Sequence, residues 1–457
     1  MSTEIKPIKC PQCGSEKHDD LGDKRFRCRS CGTEFFLDDD EITIHINHHF
    51  DAPRSTSFDS LRPDVLKKVA LIVGIPLVVL FLIIIMPIFE SRHIPKVANK
   101  TAIEVDDNIL FNTIILCKNK ATCFYIVNRS YNEGYDEEER DAKEGIYYGF
   151  KDCETGKVLV EHQLATRKDA NKREIFSSPS SSMLQLSSPN RYLITFDNQW
   201  LYEVNTDKLL LNDLTLTLIQ EKKALTTGIA RISPLNYNEG KGFLIVNNLS
   251  EKYYYFPQSN RLYTEEAFTY AQRLNENELE GKKEKQVLFM LEHKENEGGQ
   301  VGNGNLRLWR VPITYFPGDP NEFYDFWIFD GFYKSRPGNR IHNPQPIGNW
   351  FIGFNAIIMY YNSHFLLLKY NPIMGENANV VFQLRDNSGG IIWTKAIPHC
   401  QVSAYAVYDG KALWLSQYNW EKDSDAESRF VRLDIYEGTV TMREGLRTNY
   451  TLTDAEE

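Results

Sequence analysis

Eight cysteines carry most of the reactive chemistry in this 457-residue chain, and they fall into two sets of four. Cys10, Cys13, Cys28 and Cys31 form two Cys-x-x-Cys pairs separated by 14 residues. Four thiolates can hold Zn²⁺ tetrahedrally at about 2.3 Å, and two intervening residues let each pair reach the metal from one tight turn. Gly14 and Gly32 follow the pairs directly and supply the left-handed backbone that such a turn needs at its exit. Two disulfides are the competing chemistry for the same four residues. The second set is Cys117, Cys123, Cys153 and Cys400. Cys117 and Cys123 flank Lys118 to Thr122 in IILCKNKATCFYIV, which reads strand, turn, strand. Their side chains could meet across that hairpin as a disulfide; two ordinary buried thiols are the alternative.

Little else has the spacing of a catalyst. The chain holds no HExxH, GxSxG, P-loop or dinucleotide fingerprint. His162, His293, His342, His364 and His399 stand singly, and a satisfied or surface histidine is the simpler reading of each. His45, His48 and His49 end a polar strand. Asp136 to Asp141 reads as a solvated acidic loop. Tyr253-Tyr254-Tyr255 and Phe323 to Trp327 could line a binding face, since aromatics anchor interfaces, but alternation puts half of such residues in a core.

The elements that would position the first four cysteines are short. Leu21-Gly22-Asp23-Lys24 reads as a hairpin turn and Arg25 to Cys28 as a strand, continued by Thr33 to Phe36. On Cys10, Cys13, Cys28, Cys31 and the two glycines, residues 8–37 resemble the zinc-ribbon family. The resemblance implies a structural Zn²⁺ and a small β knob that folds with its metal. Ribbons bind nucleic acid, bind proteins or cap a chain, so it implies little about function. Lys17, Lys24, Arg25, Arg27 and Arg29 give the ribbon a basic face, with Asp38 to Glu41 following at once. A solvated face, or contact with anionic lipid heads, is expected. The formal net charge of −10 argues against a general nucleic-acid binder.

Val69 to Phe89 reads VALIVGIPLVVLFLIIIMPIF, 21 residues with no charge. At about 1.5 Å rise per residue, such a helix matches a hydrocarbon core of roughly 30 Å. It is apolar on every face and starts too far along the chain for a cleavable signal peptide. The expected organisation is a zinc ribbon at 1–40, a strand and flexible tether at 41–66, a transmembrane helix at 67–90 and a large domain at 98–457. The flanking charges are nearly balanced, with Arg54, Arg62, Lys67 and Lys68 against Arg92, Lys96 and Lys100. Cysteine chemistry therefore sets the orientation. Zinc thiolates belong in a reducing cytosol and a Cys117–Cys123 bridge outside it.

The large domain reads as mostly β. An apolar strand, a polar turn and a second apolar strand recur as YYGFKDCETGKVLVE, LYEVNTDKLLLND, YYYFPQSNRLYTE, VFQLRDNSGGIIWTK and VRLDIYEGTVTMRE. Aligned on Gly156, Asp207, Asn260, Gly389 and Gly438, the intervals are 51, 53, 129 and 49. Repeats of this length, each a small antiparallel sheet, are a propeller signature, and 360 residues give about seven blades. The stretch resembles PQQ-repeat and Kelch-like β-propellers, most closely at Asp386 to Trp393. Neither the regular Trp docking pattern nor the Kelch double glycine recurs, so the activities of those families are not implied. A β-sandwich pair is the competing fold. One helix is expected, with Thr264 as its N-cap, Glu265 and Glu266 in its first turn, then Ala267, Phe268, Ala271 and Leu274.

The expected protein is a single-pass membrane protein with its N-terminus cytosolic and its C-terminal domain extracytoplasmic. Its domain order is similar to that of bacterial zinc-ribbon proteins of the inner membrane. Its partners are the lipid bilayer and a protein or glycan captured by the propeller rim; nucleic acid is disfavoured and no enzyme is expected. The alternatives are an envelope enzyme with carboxylates converging on the propeller mouth, and a membrane-tethered regulator using the ribbon.

Overall fold

The computed structural model describes residues 18–22, 25–29, 34–36 and 103–452, apart from 132–134, 170–180, 188–189, 237–238, 280–281, 296–300, 323–327, 376–378, 399 and 418–427. The chain divides into two compact units, Met1–Val97 and Ala98–Glu457. In the first unit, β1 (His18–Gly22), β2 (Arg25–Cys28) and β3 (Glu34–Phe36) form one antiparallel sheet in that order. The expected hairpin is present: Gly22 pairs with Arg25, and its φ of 81° is the left-handed geometry glycine supplies. Phe26 is buried, with the His18 ring edge-on at 5.2 Å. Cys10, Cys13 and Cys31 lie outside the described residues, and so does the apolar run 69–89. Among the described residues, no helix is long and apolar enough to cross a membrane.

The second unit is mostly β and holds six small antiparallel sheets that follow one another along the chain. The first contains β4 (Ile103–Cys117), β5 (Lys120–Tyr131), β6 (Gly145–Asp152) and β7 (Val158–Thr166). The second contains β8 (Ser181–Ser187), β9 (Asn190–Phe196), β10 (Trp200–Asn205) and β11 (Leu210–Asp213). The third contains β12 (Ile229–Pro234), β13 (Phe243–Asn247), β14 (Lys252–Phe256) and β15 (Arg261–Thr264). The fourth has three strands, β16 (Glu284–Glu295), β17 (Val301–Tyr315) and β18 (Gln345–Ile352). The fifth contains β19 (Phe354–Tyr361), β20 (Phe365–Asn371), β21 (Val380–Asp386) and β22 (Ile391–Ile397). The sixth contains β23 (Val407–Tyr408), β24 (Ala412–Gln417), β25 (Arg429–Asp434) and β26 (Val440–Glu444). The last strand, β27 (Asn449–Leu452), returns to the first sheet and pairs with β4. The described residues of this unit thus form six sheets where its length suggests seven, and the segments from β15 to β16 and from β17 to β18 are long.

The recurring sequence unit is the hairpin that joins the last two strands of a sheet. Four of these hairpins share one device. The Oδ1 of Asp152, Asn205, Asp386 or Asp434 accepts two backbone N–H groups from the turn that follows. That side chain replaces a backbone acceptor and lets the strand reverse tightly. A left-handed residue then closes each turn: Gly156, Leu209, Gly389 and Gly438 have φ of 71°, 57°, 90° and 62°. The three-stranded fourth sheet lacks this last hairpin, which accounts for the interval of 129. A four-stranded meander leaves at the same end of its strands as it entered, whereas a three-stranded one leaves at the opposite end. The segment after β15 makes the extra traverse. Its helix α3 (Glu265–Gln272), capped by Thr264 as expected, folds back over its own sheet, with Phe268 stacked on Tyr254 at 3.9 Å. Among the shorter helices before it are α1 (Glu137–Lys143) and α2 (Thr215–Glu221). The acidic run expected to be a loop is α1. Asp136 and Glu139 form a capping box, and carboxylates in the first turn suit the helix dipole.

Consecutive sheets bury their faces against one another. Ile115, Phe124 and Phe150 pack with Tyr192, Ile194 and Phe196. Leu193 and Leu201 pack with Ile232, Phe243 and Ile245. Phe289, Leu308 and Ile347 meet Leu366 and Leu368. Leu367, Phe382 and Leu384 meet Leu413, Val431 and Leu433. The sixth sheet then packs on the first through Trp414 and Phe430 against Ile114, Cys123 and Tyr125. Each fully buried aromatic or branched chain contributes about 1.5–3 kcal/mol. The third and fourth sheets are joined through polar groups: Ser259 Oγ donates to the Gly318 carbonyl at 2.7 Å, and Arg261 pairs with Asp319 at 3.1 Å.

The register overturns the Cys117–Cys123 bridge. Lys118 and Asn119 both adopt positive φ, 50° and 63°, in a two-residue turn. Cys117 therefore pairs with Lys120, and Cys123 with Ile114. Three residues along a strand change the face, so the two thiols point to opposite sides of the sheet. Cys117 lies in the core shared with the second sheet and Cys123 in the core shared with the sixth. All four C-terminal cysteines are free and buried.

Candidate functional site

Two groups of polar side chains sit deep in the second unit. The first crosses the whole first sheet, with one or more residues from each of its five strands. Arg129 on β5 holds Asp107 on β4 with two bonds of 2.7 Å and reaches Glu161 on β7 at 2.6 Å. Tyr450 on β27 donates to Asp107 at 3.2 Å, and Tyr125 donates to Glu161 at 2.8 Å. The guanidinium also lies 4.6 Å over the ring of Tyr147 on β6. Burial pushes the Asp107 carboxyl upward while Arg129 pulls against it. Burial also opposes the charge on Arg129, but its bonds to the two carboxylates outweigh that and hold it protonated. One guanidinium is shared by two carboxylates, each of which also accepts from a tyrosine, so the cluster locks the last strand of the chain to the first sheet.

The second group lines a cavity of about 530 Å³ between the inner edge strands β16 and β19. That volume is in the range that accepts a small molecule. Its body is Leu288, Phe289, Met290, Ile357 and Ile358, and one cation enters it, Lys241. Lys241 sits in the loop between β12 and β13. That loop is pinned by Leu235 N to Gly242 O at 2.9 Å and by Asn321 N to Glu239 O at 2.9 Å. Gly240 makes the approach possible. At φ 110°, a Cβ there would lie 3.2 Å from the Asp319 carbonyl. The Lys241 ammonium makes no hydrogen bond or ion pair with the described residues, and burial pushes its pKa down. Among the described residues the lining contains no Asp, Glu, His, Cys, Ser or Thr.

The nearest approach to a catalytic arrangement is Thr314, His342 and Glu276. Thr314 Oγ1 lies 2.7 Å from His342 Nε2, and Glu276 Oε1 lies 2.9 Å from the same nitrogen. A proton relay needs the acid on one ring nitrogen and the hydroxyl on the other. Thr314 is also 3% exposed, out of reach of a substrate. Of the other histidines, His162 bonds the Leu209 carbonyl at 3.2 Å, and His45, His48, His49 and His399 lie outside the described residues. Tyr254 and Tyr255 are packed against neighbours, whereas 323–327 are not described. Of the four proposed zinc ligands, β2 places the backbone of Cys28 opposite His18. Among the described residues, no three metal-ligating side chains come together. Sequence reasoning missed Lys241. Its one signal was a lysine between two glycines in NEGKGFLIV, just before a buried strand.

No family model matches the chain, and no curated protein matches it. Among solved structures it is similar to oligopeptidase B from Trypanosoma brucei with covalently bound antipain, in the closed form. The TM-score is 0.21 and the identity 11%, over 73% of this chain and 41% of that one. The match spans less than half of the peptidase, and a likeness this low bears on neither fold nor activity.

Proposed function

We propose that this chain is a single-pass membrane protein whose C-terminal unit is a six-bladed β-propeller that binds a ligand or partner without transforming it. Six meander sheets packed in succession, with the last strand completing the first sheet, support the propeller reading. The observation that carries the binding reading is the cavity between β16 and β19. It is ligand-sized and mostly apolar, and its described lining holds no carboxylate, imidazole, thiol or aliphatic hydroxyl. Among the described lining residues the ionisable ones are Lys241, Tyr315 and Tyr361, and no converging carboxylates accompany them as a catalytic pair would require.

The run 69–89 supplies the anchor, with the propeller outside and the N-terminal ribbon in the cytosol. Cys10, Cys13, Cys28 and Cys31 would hold a structural Zn²⁺. The β1–β2 hairpin and the adjoining β3 are the scaffold such a ribbon uses. A protein or glycan on the rim remains the proposed partner. Protease treatment of intact cells carrying a tag at each end tests the arrangement. The C-terminal tag is expected to be digested and the ribbon spared; the reverse pattern would overturn the orientation.

A further inference from the structure

The cavity between β16 and β19 is not uniformly apolar, and the strand register shows how its polarity is distributed. Gln286 lies near the start of β16, Tyr315 is the last residue of β17, and Tyr361 is the last of β19. Because β17 is antiparallel to β16, with Glu284 opposite Tyr315, these two belong to one end of the fourth sheet. Phe289, on the opposite face of the fourth sheet from Gln286, packs on Tyr361 with ring centroids 5.6 Å apart, which puts the end of β19 at the same level but on that other face. Asn321, bonded to the loop of Lys241, joins the same end. Leu288, Met290 and Leu291 on β16, and Ala356, Ile357 and Ile358 on β19, line the rest.

Four side chains with donors, those of Gln286, Tyr315, Asn321 and Lys241, therefore gather at one end of the chamber, and Tyr361 lines it from the other face of the fourth sheet. The hydroxyls of Tyr315 and Tyr361, the amides of Gln286 and Asn321 Nδ2, and the Lys241 ammonium donate to no group among the described residues. The described lining offers them no carboxylate, although those of Glu284 and Asp319 act on Tyr315. A donor open to the chamber can meet a ligand's acceptor, and a cation in an apolar surround asks for an anion. Resting on the binding reading above, we infer that the cavity takes a small amphiphile with an unbranched hydrocarbon body and a terminal carboxylate. The carboxylate sits on Lys241, with Gln286 and Tyr315 beside it, and the hydrocarbon lies along the apolar lining of β16 and β19. Burial lowers the Lys241 pKa, and an arriving carboxylate would raise it.

The test uses the full chain in lipid nanodiscs and calorimetric titration with decanoate and with decan-1-ol, empty nanodiscs being subtracted. Wild type is expected to bind decanoate tighter than the alcohol by roughly tenfold or more. Lys241→Met should bring decanoate to the level of the alcohol while leaving the alcohol unchanged. Ile357→Trp, which fills the chamber, should abolish both, and Trp fluorescence melting checks that each variant is folded. Equal affinity for the two probes in wild type, an unchanged ratio in Lys241→Met, or no binding of either would overturn the inference. So would an apolar peptide binding there with decanoate excluded. Decanoate recovered chemically altered would overturn the non-catalytic reading while leaving the ligand class standing.

Discussion

The first sheet and the chamber beside the fourth both bury positive charge, and they do so in opposite ways. Arg129 is enclosed by two carboxylates, two tyrosine rings and the strands that bear them. Lys241 is half-buried among leucines, isoleucines and phenylalanine with no anion near it. A satisfied buried charge fixes one arrangement of the chain, because removing any member strands the others. An unsatisfied one contributes nothing to the fold and is kept at a cost. The contrast separates a structural latch from a binding site within one unit.

The largest effect is expected at the latch. Arg129→Met leaves Asp107 and Glu161 buried and uncompensated, and should cost about 3–5 kcal/mol. Urea unfolding followed by Trp fluorescence measures it directly, since all seven Trp belong to the second unit. A loss below about 1 kcal/mol would mean that the cluster does not close the sheet. A Cβ at Gly149 would sit 2.4 Å from the Tyr125 ring, so Gly149→Ala must displace the donor to Glu161. About 1–3 kcal/mol is expected from that overpacking, in the same assay. Tyr450→Phe removes one hydrogen bond to Asp107 and nothing else, and should cost about 1–2 kcal/mol. Loosening should show first as faster amide exchange in β27.

The smallest effect belongs to the chamber, and its sign is reversed. Lys241→Met should leave stability unchanged or raise it slightly, because a methionine loses nothing there. The pH dependence sharpens this. The folded Lys241 pKa lies below its ordinary value, so the unfolded chain binds more protons between the two. Stability should therefore rise with pH from the folded pKa up to about 10.4, where both states are neutral. That rise should be missing in Lys241→Met. Equal slopes in the two proteins would show that the ammonium is not held in an apolar surround.

Much of the architecture was legible along the chain. The helix start at Thr264 was readable because a cap and two acids in one turn are a local signal. The repeated turn was readable because an Asx residue and a left-handed closing residue must both lie within a few positions. The count of sheets was not. Length divided by period assumes equal repeats, and the fourth sheet has three strands with a long insertion. The capping box at Asp136 was visible in the sequence and was masked by reading charge density alone. Lys241 could not be picked out from 52 lysines and arginines, because neither a counter-charge nor its lack is written next to it.

The sequence by itself determined the local events: which stretches alternate, where strands reverse, where α3 starts, and that 69–89 is apolar for its whole length. These depend on neighbours within a turn or two, and such neighbours are adjacent in the chain. Tertiary structure alone decided the faces and the partners. A two-residue turn at Lys118-Asn119 set the parity that sends Cys117 and Cys123 into different cores. Pairing of β27 with β4 brought Tyr450 to Asp107 across 343 positions. The closing of β16 and β19 around Lys241 gave an ordinary lysine an environment that no spacing in the chain encodes.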